Sequence, residues 1–325
     1  MQVTDYTEKI RHLLSSFFSI QPLSVKMGER ICITISLKEI SFIHLNKTQE
    51  MLELLHVETL PYDQFEHLPL VLSGIVKKYK LEKTPVYCLL PPEDYQLFII
   101  ESLPVQEKEF DEALKWRVRS LINFPLENAM IDYFKLPAKK ISPNNPMIAV
   151  VVSKKDRIEK LIQIFQKSHL SLTNISIPEL ALKNLSTLYE KDEQSSAFIY
   201  FYENLAILNI TLQKTLYFTK HIILPNVTDS MDINYEEFCL DILRYFDYFQ
   251  SQWRHASPNR LFIATESKDI AAIAKKLSEY LQIPVEPFFF DHLLINIEIN
   301  QLGKNGLLSL GYILNEEESD VKTRN

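Results

Sequence analysis

Glycine is scarce in this sequence. The 325 residues include five glycines, whereas average usage would give about 23. They are Gly28, Gly74, Gly303, Gly306 and Gly311, so the stretch between residues 74 and 303 has none. Glycine allows a backbone to approach a phosphate closely and to adopt positive φ. The long stretch without it therefore disfavours any function that needs a glycine-rich phosphate loop there.

Cysteine and positive charge are also limited. Cys32, Cys88 and Cys239 lie far apart without a CxxC pair, a spacing that fits neither a disulfide framework nor a zinc site and suggests a reducing compartment. The formal net charge is −7 and the basic residues are dispersed, which argues against sequence-independent nucleic-acid binding. No run approaches the roughly 18 apolar residues of a membrane-spanning helix, and the N-terminus lacks a secretory signal. We expect a soluble cytoplasmic protein.

Motifs of common catalytic sites are missing as well. The eight histidines never fall at metal-ligand spacing, and there is no Gly-x-Ser-x-Gly elbow. Gly306 and Gly311 have the spacing of the end glycines of a Walker loop, but no lysine follows them. Glu93 and Asp94 follow two prolines and are expected to cap a turn rather than to form an acid pair. We expect no catalytic residue, no cofactor and no metal.

Two halves of the chain repeat one order of elements. In the first half, alternating residues at 31–37 and 40–45 predict a β-hairpin, and helix and strand patterns follow. After a charged linker that begins at Glu190, three more alternating strands lead into helix-strand units. The duplication predicts an α/β protein with these parts: a first lobe over 26–190, a second lobe over 191–300, a closing helix over 301–315 and an acidic flexible tail over 316–325.

Residues 86–152 have a pattern of their own within the first lobe. Strands are predicted around 95–102, 130–136 and 147–153, and a helix is predicted from Glu107 to about residue 122. Such a strand-helix-strand-strand order indicates an α+β insert rather than a continued parallel sheet. The apolar face of the helix is formed by Phe110, Leu114, Val118 and Leu121.

The first 25 residues predict an amphipathic arm. Ile10, Leu13, Leu14, Phe17 and Phe18 form one helical stripe. Such a helix either touches a membrane or a partner, or packs on its own domain. The weak basic face favours packing on its own domain.

Several short motifs occur in one order along the chain. They are LLPP at 89–92, ESLP at 101–104, EALKW at 112–116, NFP at 123–125, DILRYFDYFQSQ at 241–252 and LLSLGY at 307–312. Together they resemble PilM-type proteins, a family that includes the MshI-like proteins of pilus-assembly operons. The resemblance implies a two-lobed actin-like (ribonuclease H-like) fold.

The sequence departs from the ATP-binding members of that family at three loops. Those members carry Asp-x-Gly in the hairpin of each lobe and a glycine cluster under the adenosine. In this sequence, tyrosine rings at the second loop would fill the space that a phosphate needs, and a glutamate carboxylate at the third loop would repel a nucleotide. Nucleotide binding is therefore disfavoured, and the substituted positions are Thr34 and Ser36 (with Lys38 and Glu39 in the turn), Tyr200 and Tyr202, and Thr265, Glu266 and Ser267.

The resemblance implies a non-catalytic cytoplasmic scaffold of a type IV pilus (MSHA-like) or a type II secretion-like machine. Its partners would be the cytoplasmic N-terminal tail of a PilN- or MshJ-like bitopic protein and other inner-membrane platform components, so it would be peripheral to the membrane through partners. PilM-type proteins bind such a tail in a groove beside the insert. The groove candidates are Trp116, Arg117, Phe124 and Pro125.

Alternatives stay open at this point. One is an actin-like ATPase whose nucleotide-driven change supports pilus assembly, and another is the cytoplasmic domain of a GspL-like secretion protein. Trp116 lies off the apolar stripe of its helix, so it is either an exposed interface residue or covered by a neighbouring lobe. Homodimer formation is also open.

Overall fold

The structure is a computed structural model that describes residues 28–36, 39–47, 52–82, 84–140, 146–190, 193–224, 234–265, 269–288, 294–295 and 306–314. The chain divides into two units. The first unit contains Met1–Lys135, Met147–Pro178 and Leu293–Asn325, and the second contains Leu136–Pro146 and Glu179–His292.

Strands and helices both occur in each unit. The strands are β1 (Gly28–Ile35), β2 (Glu39–Lys47), β3 (Leu52–Pro61), β4 (Pro85–Leu89), β5 (Tyr95–Glu101), β6 (Ala129–Leu136), β7 (Met147–Lys154), β8 (Ser171–Ser176), β9 (Ser196–Tyr202), β10 (Leu205–Leu212), β11 (Thr215–Ile223), β12 (Leu261–Ala264), β13 (Val285–Pro287) and β14 (Leu294–Ile295). The helices are α1 (Leu68–Tyr79), α2 (Glu107–Arg119), α3 (Lys155–Lys167), α4 (Pro178–Thr187), α5 (Tyr235–Trp253), α6 (Ile270–Leu281) and α7 (Gly306–Ile313).

The first unit is organised around a six-stranded sheet with the order β14-β3-β2-β1-β4-β8. The predicted hairpin is confirmed, since β1 and β2 pair antiparallel from Gly28 opposite Lys47 to Ile35 opposite Ile40. β4 then runs parallel to β1, and β8 runs parallel to β4. β1 is buried from Arg30 onward, as expected for a central strand covered on both faces.

Strand β3 is an element that the sequence analysis did not predict. It pairs antiparallel with β2 along most of its length. Most of its side chains are only half-buried. Its sequence, LELLHVETLP, has no clear alternation of apolar and polar residues. Its place follows from the pairing with β2 rather than from a pattern of its own.

The insert is a three-stranded sheet with the order β5-β7-β6, packed on helix α2. Phe110, Leu114 and Val118 of α2 form its core with Ile148, Val150 and Val152 of β7, so the predicted strand-helix-strand-strand order is confirmed. The predicted start at residue 86 needs correction. β4 belongs to the main sheet because its backbone pairs with β1 and β8, and the insert sheet starts at Tyr95.

The second unit repeats the plan of the first with the sheet order β11-β10-β9-β12-β13. β9 and β10 form an antiparallel hairpin, and β12 runs parallel to β9. One face of this sheet packs against α5 and α6 through Phe238, Ile242 and Phe246 on the first helix and Ile273 and Leu277 on the second.

The boundary between the units differs from the predicted one at residue 190. Helix α4 belongs almost entirely to the second unit, because Glu179 in its first turn is bonded to that sheet. The backbone oxygen of Glu179 accepts a hydrogen bond of 2.8 Å from Asn209 Nδ2. The sequence predicts a linker in the charged residues after α4, but the boundary falls before this helix, at residues 178 and 179.

No helix among the described residues is long and apolar enough to cross a bilayer. The predicted arm at 1–25 and the tail at 316–325 lie outside the described residues. The predicted closing helix over 301–315 corresponds to α7, Gly306–Ile313, and the flanking residues 301–305 and 315 are likewise outside.

Candidate functional site

The turn of the first hairpin is satisfied by its own neighbours. The backbone N–H of Ser36 donates to the oxygen of Glu39 at 2.9 Å, and the Ser36 hydroxyl donates to the same oxygen at 3.0 Å. The Tyr62 hydroxyl donates to the Ser36 oxygen. Lys38 lies outside the described residues. The polar groups of Ser36 therefore form hydrogen bonds with Glu39 and Tyr62. In an Asp-x-Gly loop, the corresponding groups would face a metal-bound phosphate instead.

A carboxylate adds to the electrostatics of this turn. Glu39 Oε1 is buried and makes no hydrogen bond among the described residues. An ionised carboxylate repels a phosphate unless a cation lies between them. A carboxylate oxygen lies buried beside the turn of the first hairpin.

Thr34, the second substituted position of this hairpin, is bonded to helix α7. Its hydroxyl and that of Ser309 are 2.7 Å apart and both side chains are buried. Cys32 lies two residues earlier on the same face of β1, and burial raises the pKa of its thiol to about 12, against a smaller opposing effect of the hydrogen bond with Ser309. Helix α7 thus occupies this face of the first sheet with uncharged groups.

The second hairpin carries two buried phenol rings. Tyr200 and Tyr202 at the end of β9 are both almost completely buried, and their ring centres are 6.5 Å apart. Their filling of a phosphate site stays a prediction, whereas their burial at the end of β9 is observed.

The third substituted loop begins at the same edge of the second sheet. Ala264 pairs with Tyr200 between the parallel strands β12 and β9, so Thr265 follows β12 beside the tyrosines. Glu266 and Ser267 lie outside the described residues. Thr265 and the two tyrosines therefore lie at the same edge of the second sheet.

Metal-ligating groups are not clustered in the part of the chain that the structure describes, since no three His, Cys, Asp or Glu side chains there could hold one ion. At the hairpins, Thr34 and Ser36 form hydrogen bonds with their neighbours, and Tyr200 and Tyr202 are buried.

Trp116 and Arg117, two groove candidates, lie on the solvent side of α2. Trp116 is 65% exposed, and the Arg119 guanidinium lies 5.5 Å from the centre of its ring. Arg117 is exposed as well. Trp116 is thus uncovered in the described part of the chain, and its role at an interface stays a prediction.

Phe124 and Pro125, the other two candidates, lie in the turn between α2 and β6. Phe124 packs partly against the core of the insert, with Lys154 Nζ 5.9 Å from the centre of its ring. Pro125 is exposed. The structure places all four candidates on the insert, but Trp116 points away from its core whereas Phe124 leans on it.

A polar cluster on the second sheet was missed by the sequence analysis. His221 Nε2 lies 2.6 Å from Glu179 Oε1, and the Glu179 side chain is fully buried. Asn209 and Thr211 lie on the same face of β10 and are also buried. The signal was present as two polar residues within the otherwise apolar strand LAILNITL. The cluster fixes the first turn of α4 to the sheet.

Comparison with known proteins now adds to this geometry. No family model matches the sequence, and no curated protein matches it. The structure is similar to a chain of the PilM–PilN type IV pilus biogenesis complex, with a TM-score of 0.71 and 15% identity over 89% of this chain and 98% of that one.

Two further solved structures are similar over nearly their full length. One is a protein with an actin-like ATPase fold from Bacteroides thetaiotaomicron, with a TM-score of 0.53 and 10% identity over 88% of this chain and 96% of that one. The other is the cytoplasmic domain of EpsL, an inner-membrane component of the type II secretion system of Vibrio cholerae, with a TM-score of 0.50 and 12% identity over 89% of this chain and 97% of that one.

The fold is therefore the two-lobed actin-like fold, with a strand-helix-strand-strand insert in the first lobe. Within that class, the resemblance to PilM-type proteins that the motifs indicated is confirmed at the level of the fold.

Proposed function

We propose that this chain is a non-catalytic scaffold of a type IV pilus (MSHA-like) or type II secretion-like assembly machine. It binds the cytoplasmic N-terminal tail of a PilN- or MshJ-like inner-membrane protein, and through that partner it is held at the cytoplasmic face of the inner membrane. The observation that carries the proposal is the similarity to the PilM–PilN complex chain over nearly all of both chains. The similarity to the EpsL cytoplasmic domain supports the same kind of machine.

The side chains at the hairpins support the non-catalytic part of the proposal. Thr34 is bonded to Ser309, and Tyr200 and Tyr202 are buried. A phosphate at either hairpin would have to displace these packed groups, and Glu39 would repel it. A binding function for an extended peptide needs surface pockets and backbone contacts instead.

Thermal unfolding with and without Mg-ATP tests this part. A ligand that binds only the folded state raises the Tm by mass action, so a scaffold without a nucleotide site should melt at the same temperature under both conditions. The titration should use ATP well above the concentrations that saturate actin-like ATPases. A rise of several degrees would favour the ATPase alternative.

Calorimetry with a synthetic tail peptide of the PilN-like protein tests the partner. Trp116→Ala should weaken binding by about tenfold or more, as expected when an exposed aromatic anchor is removed from an interface. Tyr280→Ala is the matched control, since Tyr280 is also an exposed aromatic but lies on α6 of the second unit. Equal affinity of wild type and Trp116→Ala would show that Trp116 does not contact the peptide. If a peptide with alanine at its apolar positions binds as tightly as the original peptide, the groove proposal is contradicted.

A further inference from the structure

The outer face of helix α5 carries apolar side chains that no element in the described part of the chain covers. Phe238, Ile242 and Phe246 occupy the inner face, whereas Leu240 and Leu243 are 48% and 36% exposed. The two leucines are three residues apart and therefore neighbours on the helix surface. A depression of about 240 Å³ adjoins Leu240 and is lined by Asn234, Glu236, Glu237, Leu240 and Arg244.

The charges around these leucines are negative. Glu236 and Asp247 make no ion pair within the part of the chain that the structure describes, and the Glu237 carboxylate accepts only a 3.2 Å hydrogen bond from Asn234 Nδ2. Arg244 Nη1 is held by Asp241 Oδ1 at 2.9 Å. Since Arg244 and Asp241 neutralise each other, Glu236, Glu237 and Asp247 give this face a net negative charge.

Among the described residues, two lysines contact α5 near its ends, and the exposed Arg254 follows its last residue. Lys276 Nζ lies 4.8 Å from the centre of the Tyr235 ring, and Lys139 Nζ donates to the Tyr248 hydroxyl at 2.8 Å. The acidic face between the two ends is open to cations from another molecule.

The geometry of a helix surface limits the kind of occupant. A helix exposes no free backbone groups along its side, so an added β-strand cannot bind here, and recognition must use side chains. Glu236 and Asp247 are separated by about 17 Å along the axis, the length of about three helical turns. An amphipathic helix with apolar residues on one side and flanking cations matches both this length and this charge pattern.

We propose that the α5 face binds a basic amphipathic helix of a membrane protein, namely the positively charged segment at the cytoplasmic end of a transmembrane helix. The identity of the partner as a membrane protein rests on the proposed function. Cytoplasmic segments within about 15–20 residues of a transmembrane helix are enriched in lysine and arginine. Their charge complements Glu236, Glu237 and Asp247, and their apolar side complements Leu240 and Leu243.

Fluorescence anisotropy with the full chain tests this surface. The probe is a labelled helical peptide of leucine and lysine in heptad order, about 18 residues long so that it spans the face. The variant E236K/D247K should weaken binding by about tenfold, and L240S/L243S should weaken it at high as well as low salt. The matched control is E109K/D111K, which makes the same change in net charge on the exposed side of α2.

The outcomes separate this surface from the other sites. Equal weakening by E236K/D247K and E109K/D111K would show attraction by net charge alone and would overturn the proposal, as would unchanged binding by both. A wild-type dimer that E236K/D247K dissociates in sedimentation would make a second copy the occupant and overturn it too. Trp116→Ala should leave the probe bound, so a failure of the groove on the insert and a failure of the α5 face appear in different variants.

Discussion

Left-handed backbone at helix ends is formed here by residues that carry side chains. Lys80, Arg254 and Gln282 follow α1, α5 and α6 with φ of 56°, 53° and 57°. Glycine is the usual residue at such positions, because a Cβ in this region costs about 1–2 kcal/mol. The scarcity of glycine in this chain therefore has a local cost in stability at these helix ends.

Lys80→Gly should raise the free energy of unfolding by about 0.5–1 kcal/mol. The relief of strain at φ 56° exceeds the extra entropy that glycine gives the unfolded chain. Lys80→Ala is the control because it removes the same side chain and keeps the Cβ. Urea unfolding measures both variants, and a glycine variant no more stable than the alanine variant would show that the backbone is unstrained.

His44 is a buried titratable group in the first sheet. Its Nε2 lies 3.2 Å from Glu29 Oε2, and its ring centre is 5.5 Å from that of His56 on β3. Burial lowers the pKa of His44, against the opposing effect of Glu29. The unfolded chain therefore binds a proton at this residue more readily than the folded chain, and stability present above the ordinary pKa of about 6.5 is lost as the pH falls below it.

The free energy of unfolding of the wild type should fall between neutral pH and pH 5 by more than that of His44→Gln. The glutamine variant has its own stability at neutral pH, so the comparison uses the change with pH and not the absolute value. His67→Gln, on an exposed turn before α1, is the matched control. Parallel curves for the wild type and His44→Gln would contradict a role for His44.

Elements with a clear periodic pattern were predictable from the sequence. Helix α3 has an apolar stripe that includes Ile158, Leu161 and Phe165, and the strands of the β1–β2 hairpin alternate or are continuously apolar. β3 and the membership of β4 and α4 were not predictable, because they depend on pairing with distant strands and on contacts such as Glu179 with Asn209. Local patterns fix an element and leave open which sheet it joins.

The same limit applied to the candidate site. The substituted hairpin residues could be read from the motifs, whereas the bond between Thr34 and Ser309 joins residues 275 positions apart. The exposure of Trp116 could not be predicted, because helix periodicity does not show whether another element covers a residue.

An ion pair connects the start of β5 with helix α3. Arg157 Nε donates to Asp94 Oδ2 at 2.7 Å, and the Ser153 hydroxyl donates to the backbone oxygen of Asp94 at 2.6 Å. Burial raises the pKa of Asp94 and Arg157 opposes that shift. The pair therefore anchors the insert, at the point where β5 begins and β7 ends, to a helix of the first lobe. This contact gives Asp94 a different role from the turn cap that the sequence suggested.

Arg157→Met should lower the free energy of unfolding by about 1–3 kcal/mol, because it leaves the largely buried Asp94 carboxylate without its partner. The loss should shrink as the pH falls, since a protonated Asp94 no longer needs the guanidinium. Lys155→Met removes an exposed pair of 3.8 Å with Glu159 on the same helix and should change stability by less than about 1 kcal/mol. Urea unfolding at two pH values measures the free energy of unfolding of both variants. Equal losses in Arg157→Met and Lys155→Met would contradict the anchoring role of the ion pair.

At the scale of the whole molecule, the two units use the chain differently. The second unit is formed by one long segment and a short one, whereas the first is assembled from three segments, of which the last contains α7. Both repeat the sheet of the actin-like fold, but in the first unit one face of β1 and β2 is covered by residues near position 310. Completion of the first unit therefore requires nearly the whole chain.

Truncation before α7 should consequently destabilise the protein severely. Leu308, Leu310, Tyr312 and Ile313 are buried, and each large apolar side chain contributes about 1.5–3 kcal/mol when fully buried. Their combined loss is comparable with the total stability of a typical domain, about 5–15 kcal/mol. A chain ending at residue 305 should therefore show a much lower urea midpoint or fail to fold, whereas a control ending at residue 314 should match the full chain. If the two truncated chains unfold at the same midpoint, helix α7 is not what closes the first sheet.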